Sequence, residues 1–315
     1  MRSWQWWPAA TLRGGPCLQL PPAPRPGAAR APDARDPAAG PAEPPLLNDS
    51  SKEVEPLVVK AGWTEQDLAR VDELITTQEI NFLRRQGASA AILERARKNL
   101  AGGATSSWQI ARPQMIWMER GEGSKVYDAD GIEYVDMNGG YGVGIVGHAH
   151  PRVVEAVSDR VRRGTHFAQP TQDAVVVAEE LARRFGLPLW RFNNSGTEAT
   201  MDAVHLMRAA TGKDKIVKVE GCYHGHHDSV MVSVLNQEPE IGPPEAPNNP
   251  TSGSGIPRAI ADLTIVAPFN DLPALERIFA NHGNEIAGMI IEPIMMNAGI
   301  IAPEEAYLEG VRAVT

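Results

Sequence analysis

Four short apolar runs, LWRFNN, KIVKVEG, LTIVAPF and IAGMIIEP, alternate with helical or loop segments between residues 189 and 293. This alternation constrains the fold more than any other feature. Strands rich in Val and Ile that are separated by helices cannot pair through tight hairpins. They are joined by crossovers, which yields a mostly parallel sheet covered on both faces. The expected class is therefore α/β. Two amphipathic segments precede these runs. PRVVEAVSDRVRRG puts Val154, Val157 and Val161 on one helical face, and TQDAVVVAEELARRFG does the same with Ala174, Val177, Ala178, Leu181 and Phe185.

Further upstream the texture differs. WTEQDLARVDELITTQEINFLRRQG spaces Leu68, Val71, Leu74 and Ile75 as a helix does, with Thr64 as N-cap and Gln66 and Asp67 in the first turn. SAAILERARKNLAGG reads as a second helix ending at a glycine pair. MIWMERGEGSKVYDADGIEYVDM reads as strand, Gly turn, strand, an Asp-Gly hairpin at Asp130–Gly131, and strand. Met1–Leu47 is crowded with Pro, Ala, Gly and Arg and lacks apolar periodicity, so it is expected to stay disordered. An organelle transit peptide and a start codon placed too far upstream are the other two readings of this extension.

Composition removes several function classes. The chain has 315 residues, 22% of them charged, and a net charge of −9, with no basic patch interleaved with aromatics. A nucleic-acid partner is not expected. No apolar run is long enough to span a membrane. Cys17 and Cys222 are the only cysteines, which fits a reducing, cytoplasmic setting better than a disulfide framework.

Three stretches carry chemistry. FNNSGTEATMDAVHLM is a strand, a Ser-Gly-Thr turn and an amphipathic helix. The helix N-terminus offers free amides and about half a positive charge, so a phosphate is the natural guest of Ser195, Gly196 and Thr197. An ordinary capping turn is the bland alternative. EGCYHGHHD ends the next strand where α/β sheets bind ligands, and Tyr223 there could stack on a flat heterocycle. His224, His226, His227 and Asp228 also form a metal-ligand candidate, although adjacent histidines diverge in an extended chain. GMIIEPIMMNAG places Glu292 and Asn297 after a buried strand, either toward the same crevice or merely capping the turn. The proline-rich stretch Asn236–Pro257 reads as a long loop, a lid or a tolerated insertion.

Taken in this order, NSGTEA, GCYHGHHD and the Glu-Pro–Asn–Gly segment resemble the class III, fold-type-I aminotransferases, and their aminomutase branch most of all. ERGEGSKVYDADGIEYVDM and GHAHP resemble that family too, and the likeness runs from about residue 90 to 315. It implies an aspartate-aminotransferase-like large domain over 136–315, incomplete at its C-terminal side. Small-domain helices and strands would fill 51–135, after an extension over 1–50. It implies pyridoxal 5'-phosphate as cofactor, held by Ser195, Gly196 and Thr197 at the phosphate and by Tyr223 stacked on the ring. His224 would line the cofactor wall, Glu292 would lie beneath it, and Asn297 near its phenolic oxygen. Ser106 and Tyr141 would face the substrate, a small amino acid or semialdehyde, and the loop after Asp228 would gate the site. It implies a homodimer when complete, with no membrane or nucleic-acid partner. The reaction would move an amino group between neighbouring carbons on the way to tetrapyrroles.

Two departures qualify the resemblance. Gln109 stands where the aminomutases carry a substrate-gripping arginine, which leaves an ω- or β-amino acid transaminase as an alternative. The family's lysine and its pyridinium-binding aspartate fall beyond Thr315, and none of Lys52, Lys60, Lys98, Lys125, Lys213, Lys215 or Lys218 lies in a matching motif. No catalytic residue is therefore assigned within the chain. An inactive fragment that binds phosphate ligands or caps a partner, and a metallohydrolase built on the histidine cluster, are the remaining alternatives.

Overall fold

The structure, a computed structural model, describes residues 64–234, 236, 240–243 and 247–315. The reading of the N-terminal extension as disordered lies outside the described residues, as does part of the 236–257 loop. The chain divides into two compact units, one ending at Arg163 and the other beginning at Gly164.

In the first unit, α1 (Glu65–Arg85) starts in a capping box. The Thr64 hydroxyl accepts from the Asp67 amide at 3.2 Å, and the Asp67 carboxylate accepts from the Thr64 amide at 2.9 Å. Helix α2 (Gly87–Ala96) stops short of the glycine pair expected to end it. Gly103 instead folds back on the helix, where a Cβ would lie 2.9 Å from Leu93 Cδ1. The glycine serves close approach rather than capping. Strands β1 (Met118–Glu122), β2 (Lys125–Asp128) and β3 (Glu133–Val135) form an antiparallel sheet in that order, and the β2–β3 turn has Gly131 at φ +79°. The Asp130 carboxylate in this turn accepts from the Ala88 and Ser89 amides at 2.6 and 2.9 Å, supplying the cap that α2 lacks locally. The glycine-rich stretch beyond β3 holds α3 (Gly139–Gly142), a single left-handed turn with every residue at positive φ, followed by α4 (Pro151–Arg162). Val154, Val157 and Val161 share a face of α4, as the periodicity demands, and that face is about half exposed.

The second unit opens with α5 (Gln172–Phe185), closed by left-handed Gly186, and continues with α6 (Gly196–Thr211), β4 (Lys215–Val219), α7 (Arg258–Ala261), β5 (Thr264–Ala267), α8 (Leu272–His282), β6 (Ile286–Ile290) and α9 (Tyr307–Val314). The three strands are parallel in the order β5-β4-β6, with Val217 opposite Ile265 on one side and Met289 on the other. Period-two alternation along β4 sorts its side chains between two cores. Val217 packs with Leu275 of α8 and with Tyr307 and Val311 of α9. Ile216 packs on the opposite face with Val204 of α6 and with Val230.

LWRFNN does not form the fourth strand expected of it. Residues 189–193 carry no ladder, Leu189 is 89% exposed, and the Trp190 indole bonds the nearby Leu187 carbonyl at 2.9 Å. β-Propensity describes fit to a pleated surface. Among the described residues no neighbouring strand offers that surface to this run.

Candidate functional site

The three chemistry-bearing stretches meet at the carboxyl ends of β4 and β6. Ser195 is the N-cap of α6, with extended backbone and a side-chain oxygen accepting from the Glu198 amide at 3.2 Å. Glu198 reaches back to the Asn194 amide at 2.8 Å. The capping reading of Ser-Gly-Thr is thus correct for this oxygen lone pair, while the hydroxyl proton remains available to donate. Helix geometry leaves the first-turn amides of Gly196 and Thr197 without intrahelical acceptors. A Cβ built on Gly196 would meet nothing within 4 Å, so open space lies beside those amides.

The loop after β4 is clasped to this helix turn. The Thr197 hydroxyl accepts from the His226 amide at 3.3 Å, and the Thr200 hydroxyl donates to the His224 carbonyl at 2.6 Å. Between these two bonds, Gly225 has φ +97°, and a Cβ there would lie 2.6 Å from Thr197 Oγ1 and 2.7 Å from Thr197 Cα. Only glycine allows backbone this close to the helix. His224, flanked by the clasp, is 8% exposed, and its Nε2 is buried without a hydrogen-bond partner. Burial, reinforced by the nearby Lys218 and His227, lowers its imidazole to about 4, so the ring is neutral at physiological pH.

Glu292 ties the third stretch to the second. One carboxylate oxygen accepts from the Tyr223 amide at 2.7 Å and the other from the Met296 amide at 2.9 Å. The Glu292 carboxylate therefore spans two loops and sets the turn that bears Asn297, which is exposed. Gly221 approaches this turn, with its built Cβ 3.3 Å from Met295 Cε and 3.6 Å from Ala298 Cβ. Tyr223 is half-buried between these anchors.

Ser106 and Tyr141 belong to the first unit. Ser106 caps the short turn Ser107–Gln109, its hydroxyl accepting from the Trp108 amide at 3.4 Å, and Gln109 bonds the Thr105 hydroxyl. Tyr141 sits at φ +60°, 73% exposed, its amide donating to Asn138 Oδ1 at 2.7 Å. The turn beneath it is braced by Asp136, which accepts from the Asn138 and Gly139 amides at 2.9 Å and pairs with His148 at 2.7 Å.

Among the described residues, no three of the His, Cys, Asp and Glu side chains converge to hold a metal ion. Nor is any described helix long and apolar enough to cross a membrane. Sequence reasoning passed over Thr200 and Gly225, and weighed Lys218 only as a lysine outside any matching motif. Lys218 could have been noticed as a charge enclosed by apolar residues in IVKV, with Lys215 at the less buried start of the strand.

A helix N-terminus, an aromatic loop and a carboxylate thus gather at the strand ends of an α/β unit, where such sheets bind ligands. The class-III aminotransferase family model matches residues 108–315, and the chain belongs to that family. Glutamate-1-semialdehyde 2,1-aminomutase of Aeropyrum pernix is 42% identical over 224 residues, covering 70% of this chain and 50% of that protein. Among solved structures, an omega-transaminase from Sphaerobacter thermophilus superposes with a TM-score of 0.71 at 38% identity, over 75% of this chain and 54% of that one. A glutamate-1-semialdehyde-aminomutase variant from Pseudomonas aeruginosa PAO1 in complex with PMP gives 0.69 at 32% identity, over 79% and 53%. The chain spans about half the length of the curated relatives it matches, and its parallel-sheet unit is an incomplete version of the fold these neighbours share.

Proposed function

We propose that the chain forms the pyridoxal-phosphate-binding part of a glutamate-1-semialdehyde 2,1-aminomutase, acting in the cytoplasm as a homodimer on the way to tetrapyrroles. The observation that carries this is the clasp of Thr197, Gly225 and Thr200. It sets the Tyr223–His224 backbone beside the α6 N-terminus, where open space at Gly196 and the unpartnered His224 Nε2 both suit the group. The curated relatives named as aminomutases and the neighbour in complex with PMP support the same reading.

The Gly196 and Thr197 amides and the Ser195 hydroxyl would hold the phosphate, with the helix dipole adding to the attraction. Tyr223 would stack on the pyridine ring. Glu292 would keep that ring in place by fixing the Tyr223 and Met296 amides, and Asn297 would face the phenolic oxygen. Neutral His224 would close the wall without adding charge. Ser106 and Tyr141 would contact the substrate, an amino-acid semialdehyde, and the 236–257 loop would keep water out on closing. When bound, the cofactor would supply the electron sink for proton removal from the carbon that bears the amino group.

A second reading, an ω- or β-amino acid transaminase, is favoured by Gln109, whose neutral amide cannot grip a carboxylate as a guanidinium does. The omega-transaminase neighbour supports it as well.

The test is titration of the 315-residue chain with pyridoxal 5'-phosphate, followed by phosphorus NMR with inorganic phosphate as competitor. Gly196→Asp, which fills the space and repels the anion, should abolish binding. Tyr223→Ala should weaken it about tenfold, the usual worth of one aromatic stack. Equal binding by both variants and the parent would overturn the assignment.

A further inference from the structure

The loop that carries Tyr223 and His224 leaves β4 at Gly221 and returns at Ser233, where the Gly221 amide donates to the Ser233 carbonyl at 2.8 Å. A second closure comes from within the strand. Lys218, in the central strand β4, is 0% exposed, and its ammonium donates to the Val232 carbonyl at 2.6 Å and the Ser233 carbonyl at 3.2 Å. Val232 and Ser233 are themselves buried, and Ser233 takes the left-handed conformation (φ +50°) that helps turn both carbonyls toward the sheet. Buried carbonyls need donors, and an ammonium is a stronger donor than an amide.

Burying a lysine is expensive unless the charge is fully compensated. Glu220, Cys222, Glu292 and His224 are the titratable groups around this ammonium, and carbonyl oxygens are its bonding partners. A Met or Leu at this point of a Val- and Ile-lined strand would satisfy packing alone. It would leave the Val232 carbonyl without this donor and the neck of the loop held by the Gly221 amide. The clasp at Thr197 and Thr200 fixes the middle of the loop, and Lys218 fixes its base.

We infer that Lys218 is a positioning residue, closing the neck of the Gly221–Ser233 loop from inside the sheet and so setting Tyr223 and His224 against the α6 N-terminus. The consequence for ligand binding rests on the pyridoxal-phosphate reading; the neck closure itself does not.

The experiment compares the 315-residue chain with its Lys218→Met variant, near in volume and without charge. Amide hydrogen exchange at Gly221 and across the loop should accelerate at least about tenfold, as expected for losing one local closure. The Ile216 and Glu220 amides, which bond toward β5, should keep their rates. The dissociation constant for pyridoxal 5'-phosphate should rise about tenfold. Unchanged loop exchange, or acceleration spread evenly over the sheet, overturns the inference. A parent chain that does not bind pyridoxal 5'-phosphate, with loop exchange still accelerated in the variant, sinks the cofactor reading and leaves the neck closure standing. Should Lys218→Met fail to fold, NMR of the parent decides. A protected lysine ammonium signal coupled to the Val232 and Ser233 carbonyl carbons supports the role, and its absence refutes it.

Discussion

Acidification offers a direct probe of the buried His224. Its ring, enclosed beside the α6 turn, is lowered from an ordinary 6.5 to about 4, first by burial and then by Lys218 and His227. In the folded chain the ring therefore stays neutral at pH values where the unfolded chain has already taken up a proton. Stability from this group is complete above pH 6.5 and is lost as pH falls from 6.5 toward 4. At about 1.4 kcal/mol per pH unit, the loss is about 3 kcal/mol. For a urea dependence of about 2 kcal/mol per molar, the unfolding midpoint should fall by about 1–2 M. Burial also lowers His227 from its ordinary value, so it adds a pH dependence of the same sign. A His224→Gln variant, neutral throughout, isolates the contribution. Urea unfolding of both proteins by circular dichroism, at steps from pH 7.5 to 4, should show the variant losing about 3 kcal/mol less than the parent. Parallel pH dependences would refute the argument, because they would mean that the His224 ring is reached by water and protonates as freely folded as unfolded.

Other perturbations test the remaining joints. Gly225→Ala forces a side chain to φ +97° and to within 2.7 Å of Thr197 Cα, and should cost about 3 kcal/mol in urea unfolding; a change under about 0.5 kcal/mol would show that the approach is looser. Glu292→Gln can accept from only one of the Tyr223 and Met296 amides, so amide exchange should accelerate at one and not the other, with a loss of about 1–3 kcal/mol. Lys218 is lowered from 10.5 to about 8, chiefly by burial, so the unfolded chain holds this proton longer. Relative to Lys218→Met, the parent should gain about 3 kcal/mol as pH rises from 8 to 10.5, read from urea midpoints at those two values.

The parallel sheet was legible because KIVKV, TIVA and IAGMI bury both faces and so lose the polar alternation of surface strands. Thr64, Asp67 and the Asp130–Gly131 turn were legible because caps and tight turns are local chemistry. LWRFNN misled because a strand is a property of two segments, and composition reports only one. Within the site, the Ser-Gly-Thr turn and the Tyr-His-Gly loop could be recognised separately. Their attachment to each other could not, since it depends on Thr200 and Gly225, residues whose types carry no signal until α6 lies beside the loop. Likewise Glu292 was recognisable as a polar group after a strand, whereas its span between the Tyr223 and Met296 amides arises only once β4 and β6 are neighbours.

The contact between Gly225 and Thr197 also bears on how such sequences can drift. Two positions separated by most of a helix and a whole strand share one small volume, so neither can grow unless the other shrinks or its backbone retreats. Chimeras that exchange the α6 segment between relatives while leaving the loop behind should therefore succeed or fail as matched pairs at 197 and 225, whatever the overall identity of the donors.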